Sequence, residues 1–143
     1  VAYHFGADAV YIGMKNFSLR ANTKNFDKDE LSKAVEYSHT LDKKIYIALN
    51  AYITDVDADE IVKSLRLINA LKPDGIIISD LGVLYLAKRY APDIAIHIST
   101  QANITNLYSV KQYAELGAQP PEHGRRHPVR ERGRGHQRHR DRR

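Results

Sequence analysis

Ile94-Ala95-Ile96-His97-Ile98-Ser99-Thr100-Gln101-Ala102-Asn103-Ile104-Thr105-Asn106 passes without a break from an alternating apolar strand into a polar segment ahead of a helix. Side chains along a strand alternate between faces, so Ile94, Ile96 and Ile98 share one face while Ala95, His97 and Ser99 share the other. The first face is aliphatic and the second is small and polar. The polar face continues into Thr100, Gln101, Asn103, Thr105 and Asn106, whose hydroxyl and amide groups donate and accept hydrogen bonds. Such a junction suits a polar ligand better than a packed core, and strand ends of this kind carry the chemistry of α/β proteins.

Outward from this stretch, residues 1–119 read as four strand-then-helix units. The expected strands are Ala9 to Gly13, Ile45 to Asn50, Gly75 to Ser79 and Ile94 to Ser99, each short, rich in Ile and Val, and bounded by turn formers. Asp27 with Glu30 forms a capping-box pattern for a helix whose face is Leu31, Ala34, Val35 and Leu41. Ile61, Val62, Leu65, Ile68 and Leu71 mark a second helix, which Asp55, Asp57, Asp59 and Glu60 start and Pro73 stops. A third runs from Leu81 to Tyr90 with Asp80 as N-cap, and a fourth from Thr105 as N-cap to Gly117. Strict alternation predicts parallel strands joined by right-handed crossovers.

Strand parity sharpens the fold. Val10/Ile12, Ile45/Ile47/Leu49, Ile76/Ile78 and Ile94/Ile96/Ile98 form the set expected to pack under helices. The opposite set is Ala9/Tyr11/Gly13, Tyr46/Ala48/Asn50, Gly75/Ile77/Ser79 and Ala95/His97/Ser99. An open doubly wound sheet would be strongly aliphatic on both faces. One face here ends in Gly13, Asn50, Ser79 and Ser99, as in a barrel interior opening into a polar mouth. The expected fold is therefore α/β, a partial TIM-like (β/α) barrel of about four units over residues 1–118. Half a barrel has two open edges, so self-association through them is expected.

Composition bounds the function. The chain has 43% hydrophobic and 27% charged residues, ordinary for a soluble domain. No apolar run suits a membrane span, and no signal peptide is visible, so a cytoplasmic location without membrane contact is expected. Zero cysteines exclude disulfides, a thiolate nucleophile and cysteine-held clusters within these residues. The net charge of +5 resides in the tail: residues 120–143 hold nine Arg against three acids. An Arg-rich arm from residue 119 onward cannot fold alone and is expected to be disordered. The abrupt switch at Gln119-Pro120 fits a truncation or a change of reading frame, with a real RNA-binding arm as the alternative.

The candidate site residues follow from position. Residues 14–26 form an unusually long connection after the first strand, a candidate binding loop. Arg20 within it has the fork that holds a carboxylate or phosphate, against the plainer reading of an Arg on a solvated rim. Asn50, Gln101 and Asn103 are further candidates for substrate binding. His97 and Ser99 invite a nucleophile–base reading, but side chains two apart on a strand run parallel rather than converge. His97 is thus weighed as a hydrogen-bonded barrel residue or a ligand contact. No metal spacing and no glycine-rich phosphate loop is present.

Several segments together resemble the collagenase-like peptidase family. They are residues Tyr3-His4-Phe5-Gly6-Ala7-Asp8-Ala9-Val10-Tyr11-Ile12-Gly13, Phe17-Ser18-Leu19-Arg20-Ala21 with Asn25-Phe26, Ser79-Asp80-Leu81-Gly82, and His97-Ile98-Ser99-Thr100-Gln101-Ala102-Asn103 with Thr105-Asn106. The resemblance covers residues 1 to about 118 in the family's order. It implies a barrel-like domain and a hydrolase of peptide bonds. As the alternative it implies an enzyme for hydroxylation of tRNA, ribosomal RNA or quinones, with peptide or RNA among its substrates. Relatives begin with one more strand and helix before Tyr3, and continue after Ala118 into a strand and an Arg-Glu motif. The cysteines that hold an iron–sulfur cluster in some relatives lie in that later region, so the resemblance leaves a cluster open for a full-length parent and implies none for this fragment. The fragment is expected to be inactive alone.

Overall fold

The computed structural model describes residues 1–14 and 26–119. Within them four strands, β1 (Ala9–Gly13), β2 (Lys44–Leu49), β3 (Gly75–Ile78) and β4 (Ile96–Ile98), alternate with four helices, α1 (Lys28–Thr40), α2 (Ala58–Leu71), α3 (Leu81–Tyr90) and α4 (Leu107–Glu115). Every neighbouring pair is parallel, and the order in space is the order in the chain, β1-β2-β3-β4. Adding each strand beside the last, with no reversal of direction, is how a β/α barrel grows. A doubly wound sheet reverses order at a switch point.

The helix starts obey local chemistry. At α1, Asp27 Oδ1 accepts from the Glu30 N–H at 2.9 Å and Glu30 Oε2 accepts from the Asp27 N–H at 3.1 Å, the reciprocal cap the sequence predicts. Before α2, a 3-10 turn at Asp55–Asp57 is closed by the Asp57 carboxylate, which accepts from the Thr54 N–H at 2.8 Å and its hydroxyl at 2.7 Å. The Thr54 hydroxyl and backbone N–H hold the Asp57 carboxyl below its usual range. Asp80 caps α3 by accepting from the Val83 N–H at 2.9 Å. The cap of α4 is Asn106 rather than Thr105: Asn106 Oδ1 accepts from the Ser109 N–H at 2.9 Å. Upstream, Thr100–Ala102 makes a 3-10 turn that ends on Asn103 with φ 54°. Asn106, in extended backbone, is also a better cap than Thr.

The expected strands differ from the observed ones only at their ends, most at β4. The Ile94 N–H bonds the Ala91 carbonyl at 3.2 Å in the turn after α3, so that residue precedes the ladder. The Ser99 N–H still reaches the Ile78 carbonyl at 2.7 Å, although its side chain belongs to the next turn.

Parity is as predicted. Register places Ile12, Ile47, Ile76 and Ile96 in one row and Leu49, Ile78 and Ile98 in the next. Ile47, Leu49, Ile76 and Ile78 are buried against Leu31 of α1, Ile61, Leu65 and Ile68 of α2, and Val83, Leu84 and Ala87 of α3. Burying each large aliphatic side chain stabilises the fold by about 1.5–3 kcal/mol. On the other face Tyr11 stacks on Tyr46 with centroids 5.4 Å apart, and His97 meets Tyr46 edge-on at 5.3 Å. Gly75 lies beneath this pair. A Cβ there would sit 2.9 Å from both Tyr46 Cδ1 and His97 Cδ2, so the two rings occupy the space a side chain would need.

The edge strands are β1 and β4. At the top of β1 the Phe26 N–H donates to the Gly13 carbonyl at 3.1 Å. Beside β4, the Gln119 N–H donates to the Ile96 carbonyl at 2.6 Å, a single parallel bridge. An apolar groove of about 720 Å³ flanks β1 and α1, lined by Val10, Ile12, Phe26, Ala34 and Tyr37 among others. No residue of α4 is fully buried. No described helix is long and apolar enough to cross a membrane.

Candidate functional site

Parallel strands in register deliver their last residues to one rim, so the carboxyl ends of β2, β3 and β4 bring Asn50, Ser79 and Ser99 together from distant parts of the chain. Gln101 follows on the 3-10 turn after β4. Asn50 Nδ2 donates to Gln101 Oε1 at 2.6 Å, a bond between residues 51 positions apart. Because β3 lies between β2 and β4, this amide pair spans the end of β3. Below it the Ser79 hydroxyl lies 3.5 Å from the Asn50 carbonyl oxygen, at the limit of a hydrogen bond. Asn50, Ala51, Tyr52, Ile53, Ser79, Asp80 and Gln101 line a cleft of about 260 Å³.

The polar groups of this cleft are partly engaged. Asn50 Oδ1 is buried and accepts no hydrogen bond among the described residues. Gln101 Oε1 takes the Asn50 amide and a long contact from the Ser99 hydroxyl at 3.4 Å. Gln101 itself is exposed, and Tyr52 beside it is 91% exposed. Asp80 lines the cleft while its carboxylate caps α3, so the structural role expected from sequence and a place on the wall coincide.

The other candidates separate from this group. Ser99 Oγ also accepts from the Gln101 N–H at 3.3 Å, which makes it the cap of the turn. Its partner is an amide, which is no general base. His97 lies on the same face, level with Ile77, Ala48 and Gly13, buried beside Tyr46. Asn103 is exposed in its left-handed step and does not line the cleft. Arg20, and with it the long connection between Met14 and Phe26, lies outside the described residues, as does the Arg-rich tail beyond Gln119. Among the described residues no group of three or more His, Asp or Glu side chains is placed to hold a metal ion.

Sequence reading missed Tyr52 and the Asn50–Gln101 bond itself. Tyr52 carries a usable signal, since it stands two residues past Asn50 at a strand end. The bond had none, because it depends on how far the sheet curves between β2 and β4.

Comparison with known proteins gives a consistent picture. The family model described as "Peptidase family U32" matches residues 1–120. An uncharacterized protease of Methanocaldococcus jannaschii is 37% identical over 115 residues, covering 80% of this chain and 28% of its own. The tRNA hydroxylation protein P of Helicobacter pylori strain J99 is 37% identical over 118 residues, covering 82% and 28%. A 23S rRNA 5-hydroxycytidine synthase of Escherichia coli is 36% identical over 115 residues, covering 78% and 16%. The chain thus spans little more than a quarter of the first two relatives and less of the third. A parallel sheet grown in chain order, with its polar residues gathered at the strand ends and a family match over nearly all of its described length, makes this chain a member of peptidase family U32.

Proposed function

We propose that the chain is the substrate-binding part of an RNA-modifying enzyme of the hydroxylating kind, rather than of a peptidase. The observation that carries this reading is the character of the strand-end cleft. Its polar side chains are two carboxamides, a serine, the Tyr52 phenol and a capping carboxylate, and beside it Ser99 is engaged to Gln101. Peptide hydrolysis by a serine needs a hydroxyl hydrogen-bonded to a base, and the Ser99 hydroxyl faces an amide instead. Two of the relatives above are named for hydroxylation of tRNA and ribosomal RNA, which supports the same reading.

The contribution of these residues is binding and positioning. Amide groups fix a polar heterocycle by direction-specific hydrogen bonds without adding charge. An iron–sulfur cluster does not fit this chain, because it holds no cysteine to supply thiolate ligands.

The reading is tested in a full-length protein carrying this barrel, expressed in cells that lack their own copy. Mass spectrometry of nucleosides from tRNA and ribosomal RNA should show a hydroxylated nucleoside that depends on the protein and is lost in Gln101→Ala. Undiminished hydroxylation without the protein, together with peptide-bond cleavage by the purified enzyme, overturns it.

A further inference from the structure

The pairing at the cleft is half of a cyclic amide dimer. Asn50 Nδ2 donates a hydrogen bond to Gln101 Oε1, but the reciprocal bond from Gln101 Nε2 to Asn50 Oδ1 is not made. That leaves an acceptor, Asn50 Oδ1, and a donor, Gln101 Nε2, belonging to the same pair of side chains. A ligand that completes both must carry a donor and an acceptor side by side on one edge. Nucleobases do so on their Watson–Crick edges, whereas a trans peptide group points its N–H and its C=O in opposite directions.

We infer that the Asn50–Gln101 pair reads the hydrogen-bonding edge of an unpaired nucleobase, with the exposed Tyr52 ring beside it as a stacking surface. The inference rests on the RNA reading of the chain and names the part of the RNA this cleft takes. Two features of the structure support it. The buried Asn50 oxygen carries a desolvation cost that a ligand N–H would offset. Tyr52, 91% exposed on the wall of the same cleft, offers a face on which any base can stack. A ligand N–H reaches that buried oxygen only after a neighbouring side chain moves aside.

The test uses the whole chain, isotope-labelled, and follows the side-chain amide signals of Asn50 and Gln101. The probes are uridine and cytidine, neutral so that the Arg-rich tail does not attract them, and N-acetylglycine N-methylamide as the trans-peptide control. The nucleosides should shift both amide pairs and the Tyr52 ring, and the dipeptide should not. Gln101→Ala, at an exposed position, should weaken nucleoside binding at least about fivefold with an unchanged backbone fingerprint. Gln101→Glu, which exchanges donors for acceptors, should do the same. Nucleoside binding that ignores both variants overturns this inference while leaving the RNA reading intact. Binding of the dipeptide alone overturns both, and the absence of any shift with the nucleosides overturns the inference.

Discussion

The two faces of the sheet are built from the same four strands and obey different rules. Under the helices, Ile47, Leu49, Ile76 and Ile78 are interchangeable in kind: each is a buried aliphatic group whose neighbours are other aliphatic groups. On the opposite face no two rows are alike. Tyr46 contacts Tyr11 on one side and His97 on the other, Tyr46 and His97 meet over Gly75, and the face ends in the Asn50–Gln101 pair. The contrast teaches that the aliphatic face determines whether the sheet forms, while the other is the face to which the proposed function assigns binding. Stability should therefore be concentrated on one face and specificity on the other.

Substitutions can break that division. The largest loss is expected for Ile47→Ala or Ile76→Ala, each leaving a cavity where the side chain is wholly buried; chemical denaturation should show about 2–5 kcal/mol of destabilisation. Gly75→Ala probes the ring-bearing face through its tightest contact. The new Cβ must push aside Tyr46 and His97, at a cost of about 1–3 kcal/mol, and the near-ultraviolet dichroism of the tyrosines should change. Combining it with His97→Ala should recover part of the loss, and strict additivity in the double-mutant cycle would show that the rings are not what the glycine accommodates. Asp80→Ala removes the α3 cap and should cost about 1 kcal/mol, read from the same unfolding curves. Gln101→Ala is the smallest, within about 0.5 kcal/mol, because the side chain is exposed. A large loss there would break the division outright, since a residue assigned to specificity would be holding the fold.

The face that forms the fold was also the easier one to read. Aliphatic residues at alternate positions and capping residues such as Asp27, Glu30 and Asp80 announce themselves within a few residues of chain. The parallel order and the barrel-like parity followed from those local signals. The one misplaced helix start, Thr105 for Asn106, lies between two adjacent residues that both cap helices, and sequence alone does not choose between them. The candidate site was legible as a set of residues and not as an arrangement. Asn50, Ser79, Ser99 and Gln101 could be named from their place after strands. That Ser99 would bond Gln101, and that Asn50 would reach across β3 to Gln101, are consequences of sheet curvature and turn geometry.

The hydrogen bond from the Phe26 N–H to the Gly13 carbonyl closes a ring of chain at the end of β1. The ends of that ring are held, by the sheet at Gly13 and by the bridge from Met14 to Phe26 just before α1. Closing a loop of twice the length costs only about 0.6 kcal/mol more. A change in the number of residues between Met14 and Phe26 is therefore expected to cost little, while β1 keeps its register with β2.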